Sequence, residues 1–130
     1  MRLVSLDHVV VNVSSLEKAG QFYRDVLGML EVEHAKGRKA YHFGCQKVNL
    51  VEVEGQVRPN AKVAAHGAAD LCFLVENIDE ALAHMHGRGV SIEEGPVYRS
   101  GAASAIRSIY VRDPDGNLIE LAQPENVMII

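Results

Sequence analysis

Several familiar pointers to function are missing from this chain. It has only two cysteines, Cys45 and Cys72, with no partner-like spacing. That argues against a disulfide framework or a zinc finger and favours two small, half-buried side chains. Lys and Arg number 13 against 17 Asp and Glu, a formal charge of −4, and the basic residues form no cluster. Nucleic acid is therefore excluded as a partner. The longest apolar runs, such as Val9-Val10-Val11, fall far short of the roughly 20 residues that span a bilayer. Residues 1–6 lack the basic start and apolar core of a signal peptide. A cytoplasmic protein without membrane contact is expected. No segment is of low complexity and 48% of residues are apolar, which argues against disorder. The 130 residues suffice for a single domain with a real core.

What the chain does have is a repeat. Asn49-Leu50-Val51-Glu52-Val53 returns as Asn117-Leu118-Ile119-Glu120-Leu121, an offset of 68. Upstream, His8 to Val13 with Leu16 and Ala19 returns as Asp70 to Val75 with Ile78 and Ala81, an offset of 62. A period of about 65 residues is too long for a solenoid unit and too short for two ordinary domains. It describes one domain over 1–130 made of two similar halves. Module one covers about 1–54, a linker about 55–69, module two about 70–123, and a tail 124–130. By this alignment each half puts a metal-ligand type at the same two points: His8 and Glu52, then Asp70 and Glu120.

Each half reads as βαβββ. Leu6–Val13 is rich in β-branched residues and predicts a buried strand. Ser14 with Glu17 suggests a capping box, and Leu16, Ala19, Phe22, Tyr23, Val26 and Leu27 follow one helical face. Strands are predicted near 29–35, 38–44 and 47–54. In the second half the strand is Asp70–Val75, the cap Asn77 with Glu80, and the helical stripe Ile78, Ala81, Leu82 and Met85. Strands follow near 90–94, 106–112 and 117–122. Gly95 to Ala103 reads as a Gly-rich loop, and Asp113-Pro114-Asp115-Gly116-Asn117 as a turn.

Asp7-His8-Val9, Phe22-Tyr23-Arg24-Asp25-Val26-Leu27-Gly28 and Arg112-Asp113-Pro114-Asp115-Gly116-Asn117-Leu118-Ile119-Glu120 resemble the vicinal oxygen chelate superfamily. That group takes in glyoxalases, bleomycin-resistance proteins and dioxygenases. Arg38-Lys39-Ala40, Lys47-Val48-Asn49-Leu50 and Glu94-Gly95-Pro96-Val97 look most like its glyoxalase-domain-containing branch. The resemblance implies an α+β fold, two tandem βαβββ modules curving into an eight-stranded open barrel around a metal and ligand trough. It implies one divalent ion per site, held by the first and last strand of each module. Those positions here are His8, Glu52, Asp70 and Glu120. Asp70 departs from the histidine common there, giving an oxygen-rich set suited to Ni, Mn, Fe or Mg, with zinc also open.

The activity so implied is that of a metal-dependent lyase or isomerase similar to glyoxalase I. It would act on a small substrate with adjacent oxygens through a metal-bound enediolate, with Glu120 or Glu52 as base. Three carboxylates call for compensating cations. Arg99, with Tyr98 beside it in the Gly-rich insertion, and also Arg38 and Arg107, are the candidate substrate-binding residues. The alternatives are a metal-free binding protein of the bleomycin-resistance kind and an extradiol-type dioxygenase. The latter is disfavoured by the missing second histidine. The apolar tail Val127-Met128-Ile129-Ile130 suggests a homodimer contact.

Overall fold

The β-branched runs do form strands, and in both halves they assemble in the same order. A computed structural model describes residues 1–35, 38–53 and 58–125. The tail from Val127 to Ile130, on which the dimer contact was argued, lies outside them. The chain divides into two compact units, Met1–Ala68 and Ala69–Ile130. No helix among the described residues is long and apolar enough to cross a membrane.

The first unit runs β1 (His8–Val13), α1 (Leu16–Gln21), a π-helical turn (Phe22–Val26), β2 (Leu30–Ala35), β3 (Arg38–Phe43) and β4 (Gln46–Glu52). Its sheet has the order β1-β4-β3-β2. β1 lies parallel to β4, and the remaining pairs are antiparallel. One face packs on the helix through Val11, Val13, Val48 and Leu50, all at most 2% exposed. Each such side chain stabilises the unit by roughly 1.5–3 kcal/mol. The helix begins one residue later than predicted. Ser15, not Ser14, is the N-cap, and its Oγ accepts from the Lys18 N–H at 3.2 Å. After Gln21 the helix widens, with Leu27 N–H donating to the Phe22 carbonyl at 3.0 Å. Tyr41, wholly buried, donates to Glu31 at 2.7 Å. Its hydroxyl occupies the space where a side chain at position 20 would begin, so any larger residue there would displace the Tyr41 ring.

The second unit runs β5 (Asp70–Leu74), α2 (Ile78–Gly87), β6 (Glu94–Ser100), β7 (Ala105–Arg112) and β8 (Leu118–Pro124), with sheet order β5-β8-β7-β6. Asn77 caps α2 as expected, accepting from the Glu80 N–H at 3.0 Å. Ile109, Val111, Ile119 and Leu121 form the buried face beneath the helix. The fold is α+β with paired βαβββ halves, as expected, although the strands form two four-stranded sheets rather than one of eight.

The predicted loop at 95–103 is corrected. Most of it is β6, an edge strand paired with β7, and only a short turn separates the two. Gly95 and Pro96 read as loop punctuation, but they form a β-bulge, where the register shifts between Glu94 and Val97. Gly95 sits at φ +106°, and a Cβ there would collide with the Ser108 carbonyl oxygen. Both cysteines are exposed, not half-buried.

Candidate functional site

Strand register decides which residues of the two halves are equivalent, and it disagrees with the letters. In the first unit His8 pairs with Lys47, Val10 with Asn49 and Val13 with Glu52. In the second Asp70 pairs with Leu118 and Cys72 with Glu120. Superposing His8 on Asp70 therefore matches Asn49 with Glu120 and Glu52 with Gln123, an offset of 71 instead of 68. Burial agrees: residues 47–52 and 118–123 share one pattern of buried and half-buried positions. The helix contacts agree as well. Glu52 Oε1 accepts the Leu16 N–H at 3.0 Å, and Gln123 Oε1 accepts the Ile78 N–H at 2.9 Å. Each is the acceptor for the first amide of its helix, where backbone donors have no partner within the helix.

Glu52 is thereby removed from the predicted ligand set. It lies on the helix side of its sheet, whereas His8 lies on the open side, since five residues along a strand reverse the face. Asn49 holds the open-face position that Glu52 was expected to fill.

His8 opens β1, with Nδ1 2.8 Å from Asp7 Oδ2. The histidine contact holds the Asp7 carboxyl below its ordinary range, so Asp7 accepts and Nδ1 donates. A carboxylate partner of this kind orients a histidine ring.

In the second unit the open face gathers a polar cluster around Glu120. Cys72 flanks it on β5 and Tyr110 on β7, each opposite it in register. The buried Ser108 donates its Oγ–H to Glu120 Oε2 at 2.6 Å. Asp70 lies on this same face, two positions before Cys72. Arg99 reaches the cluster from β6, with Nε donating to the Tyr110 hydroxyl at 3.2 Å and the guanidinium carbon 5.6 Å from the Tyr110 ring centre. Two further Arg99 donors go to Glu94 and the Tyr98 carbonyl, both at 3.0 Å. A cleft of about 510 Å³ opens here, bordered by Cys72, Leu74, Arg99, Ile106, Tyr110 and Glu120.

The surroundings set the proton inventory. Partial desolvation, then the charge and hydrogen bond of Glu120, push the Cys72 thiol up to about 11. It stays protonated and is no nucleophile at neutral pH. Tyr110 is also raised, by burial first; the Arg99 hydrogen bond opposes this and the Glu120 charge adds to it.

Of the predicted substrate residues, Arg99 belongs to this cluster and Arg38 lines a cleft in the first unit. Arg107 and Tyr98 do not take the expected position. They pair with each other on the helix side of β6 and β7, and Arg107 donates to Asp79 of α2 at 2.8 Å. Of the predicted metal set, Glu52 faces the helix of its own unit, while His8 lies on the open face of the first sheet and Asp70 and Glu120 on that of the second. Among the described residues no group of three His, Cys, Asp or Glu comes together to hold an ion. The sequence reading missed Asn49, Ser108 and Cys72. Asn49 stood inside the repeated motif but was matched to Asn117, a buried clasp that donates to Asp113 at 2.7 Å.

A profile of the glyoxalase/bleomycin resistance protein/dioxygenase superfamily matches residues 5–121. The chain belongs to this superfamily. It is 45% identical to virulence protein STM3117 of Salmonella typhimurium over 91% of its own length and 83% of that protein's. The crystal structure of that relative superposes with a TM-score of 0.94, covering 96% of this chain and 100% of the other. The glyoxalase domain-containing protein RDO1 of Mycosarcoma maydis is 46% identical over 91% of this chain and 67% of its own. Mouse mitochondrial methylmalonyl-CoA epimerase is 30% identical over 94% of this chain and 74% of that one. This superfamily chain thus has an epimerase among its relatives as well as glyoxalase-domain proteins.

Proposed function

We propose that this member of the superfamily is a proton-transferring lyase or isomerase whose base is Glu120. The observation that supports this most is the hydrogen bond from buried Ser108 to Glu120 Oε2 at 2.6 Å. It fixes one oxygen of a carboxylate that borders the cleft, the positioning a general base needs. The substrate is a small molecule with a C–H beside a carbonyl or between adjacent oxygens. Glu120 removes the carbon-bound proton while the electron pair moves onto the neighbouring oxygen, giving an enolate or enediolate. Arg99 and the protonated Tyr110 hydroxyl supply positive charge and a donor for that oxygen. Glu120 then returns the proton, to the adjacent carbon in an isomerisation or to the original carbon in an epimerisation.

The epimerase relative favours this class of step. Members of the superfamily often use a divalent ion. Of the four predicted ligands, His8 lies on the open face of the first sheet and Asp70 and Glu120 on that of the second, whereas Glu52 does not. No step above is routed through an ion.

The test is exchange of carbon-bound hydrogen for deuterium in D₂O, with isomerisation of hemithioacetals and epimerisation of acyl thioesters assayed alongside. Each is run with and without added Ni²⁺, Mn²⁺ or Zn²⁺. Glu120→Gln keeps the acceptor for Ser108, so folding is expected to persist while the rate falls by roughly 10²–10⁴-fold. A Glu120→Gln protein as fast as the parent would sink the reading. Ligand binding without exchange on any substrate would favour a binding protein instead.

A further inference from the structure

The first unit has a cleft of its own, about 350 Å³, on the open face of its sheet. Its polar lining is Asn12, His34, Arg38, Asn49, Arg58 and Asn60, above an apolar floor from β1 and β4. No carboxylate lines it among the described residues. Arg24, Arg99, Arg107 and Arg112 each lie 2.8–3.0 Å from an Asp or Glu oxygen. Arg38 and Arg58 form no such pair with any described residue. Two guanidinium groups at one concave site, with no described carboxylate lining it, suit an oxyanion, because their planar donors match carboxylate and phosphate geometry.

A second observation concerns Asn49. Its Oδ1 is buried and has no hydrogen-bond partner. An unpaired buried acceptor costs free energy until a donor reaches it. Neighbouring Asn12 is already served, since Asn60 Nδ2 donates to its Oδ1 at 3.1 Å. Among the described residues no donor reaches Asn49 Oδ1. The third observation is the local field. His34 is held below its ordinary value by desolvation first, then by Lys47, Arg38 and His42. A volume of about 350 Å³ lies at the small end of ligand sites, which run from roughly 300 to 1,000 Å³.

We infer that this cleft binds a small organic anion, its carboxylate or phosphate paired with Arg38 and Arg58 and an adjacent hydroxyl or N–H donating to Asn49. The inference rests on the first unit alone and does not depend on the chemistry of Glu120.

The full chain, labelled for protein-observed NMR, is titrated with acetate, glycolate and inorganic phosphate. Saturable shifts are expected at the His34 ring and the Asn49 side-chain amide. Glycolate should bind roughly 2- to 10-fold tighter than acetate, the worth of one neutral hydrogen bond. Asn49→Ala should erase that difference while leaving acetate unchanged. Arg38→Ala and Arg58→Ala should each weaken binding roughly 10- to 100-fold. Where an alanine variant unfolds, Arg38→Lys and raised salt test the same charge, and both should weaken binding. Stronger binding of phosphate than glycolate identifies a phosphoester, and the reverse a hydroxy acid. No saturable shift with any of the three probes, or affinities unchanged in both arginine variants, overturns the inference.

Discussion

Removing the Glu52 carboxylate separates a structural from a catalytic role. Its Oε1 accepts the Leu16 N–H at 3.0 Å, at the start of a helix of only six residues. A hydrogen bond to a charged group contributes about 1.5–3 kcal/mol. Proximity of an anion to the helix N-terminus contributes about 0.3–1 kcal/mol, part of the same interaction. Glu52→Ala strands the amide and should cost about 2 kcal/mol. For a chain of this size that is a fall in Tm of roughly 6–10 °C. Glu52→Gln keeps an acceptor, and Gln123 shows at 2.9 Å that an amide oxygen does the same work in the second unit. Its cost is limited to the charge component, under about 1 kcal/mol. The chain has no tryptophan, so urea and thermal unfolding are best followed by circular dichroism. Activity and metal content of folded Glu52→Gln should equal those of the parent. A Glu52→Gln protein with unchanged melting but lost turnover or metal uptake would refute the reasoning and return the carboxylate to the chemistry.

Two further outcomes follow from the electrostatics. In a Cys45→Ser background, alkylation of Cys72 should be slow at pH 8, where a thiol of pKa about 11 is thiolate in about one molecule in a thousand. Glu120→Gln should speed it by removing the adjacent charge, and equal rates in the two proteins would break that link. Glu31 is held below its ordinary carboxyl value by the Tyr41 hydrogen bond first, with Lys39 and Arg24 adding to it. A lowered folded-state pKa contributes stability that is complete above the ordinary value of 4.5 and disappears as pH falls through the lower folded one. Glu31→Gln should therefore flatten the loss of stability on the acid side of about pH 4.5, as read from urea midpoints.

The strand and helix order was legible because β-branched runs and the Asn77 cap are local signals that tertiary packing did not override. Local signals also misled where a short-range pattern had two physical uses. Gly95-Pro96 serves a loop and an edge-strand bulge equally well, and only pairing with β7 decides between them. Ser14 and Ser15 are both competent caps, and the chain uses Ser15. Glu120 and Arg99 lie together on the open face of the second unit, whereas Glu52, Arg107 and Tyr98 lie on the helix side of their sheets. Facing depends on register, and register is set between strands far apart in sequence. A slip of an odd number of residues turns every side chain over.

That slip of three residues also changes what the duplication has produced. Each half retains one acid and one amide at the two matched positions, but in reversed places: amide outward and acid inward in the first unit, acid outward and amide inward in the second. The inward position tolerates either, because a helix amide asks only for an oxygen. The outward position is where the exchange has chemical effect. It leaves one copy with a neutral acceptor beside two arginines that pair with no described carboxylate, and the other with a carboxylate among hydroxyls. Two descendants of one fold have become an acceptor of negative charge and a bearer of it, through a trade of side chains that leaves the backbone plan untouched.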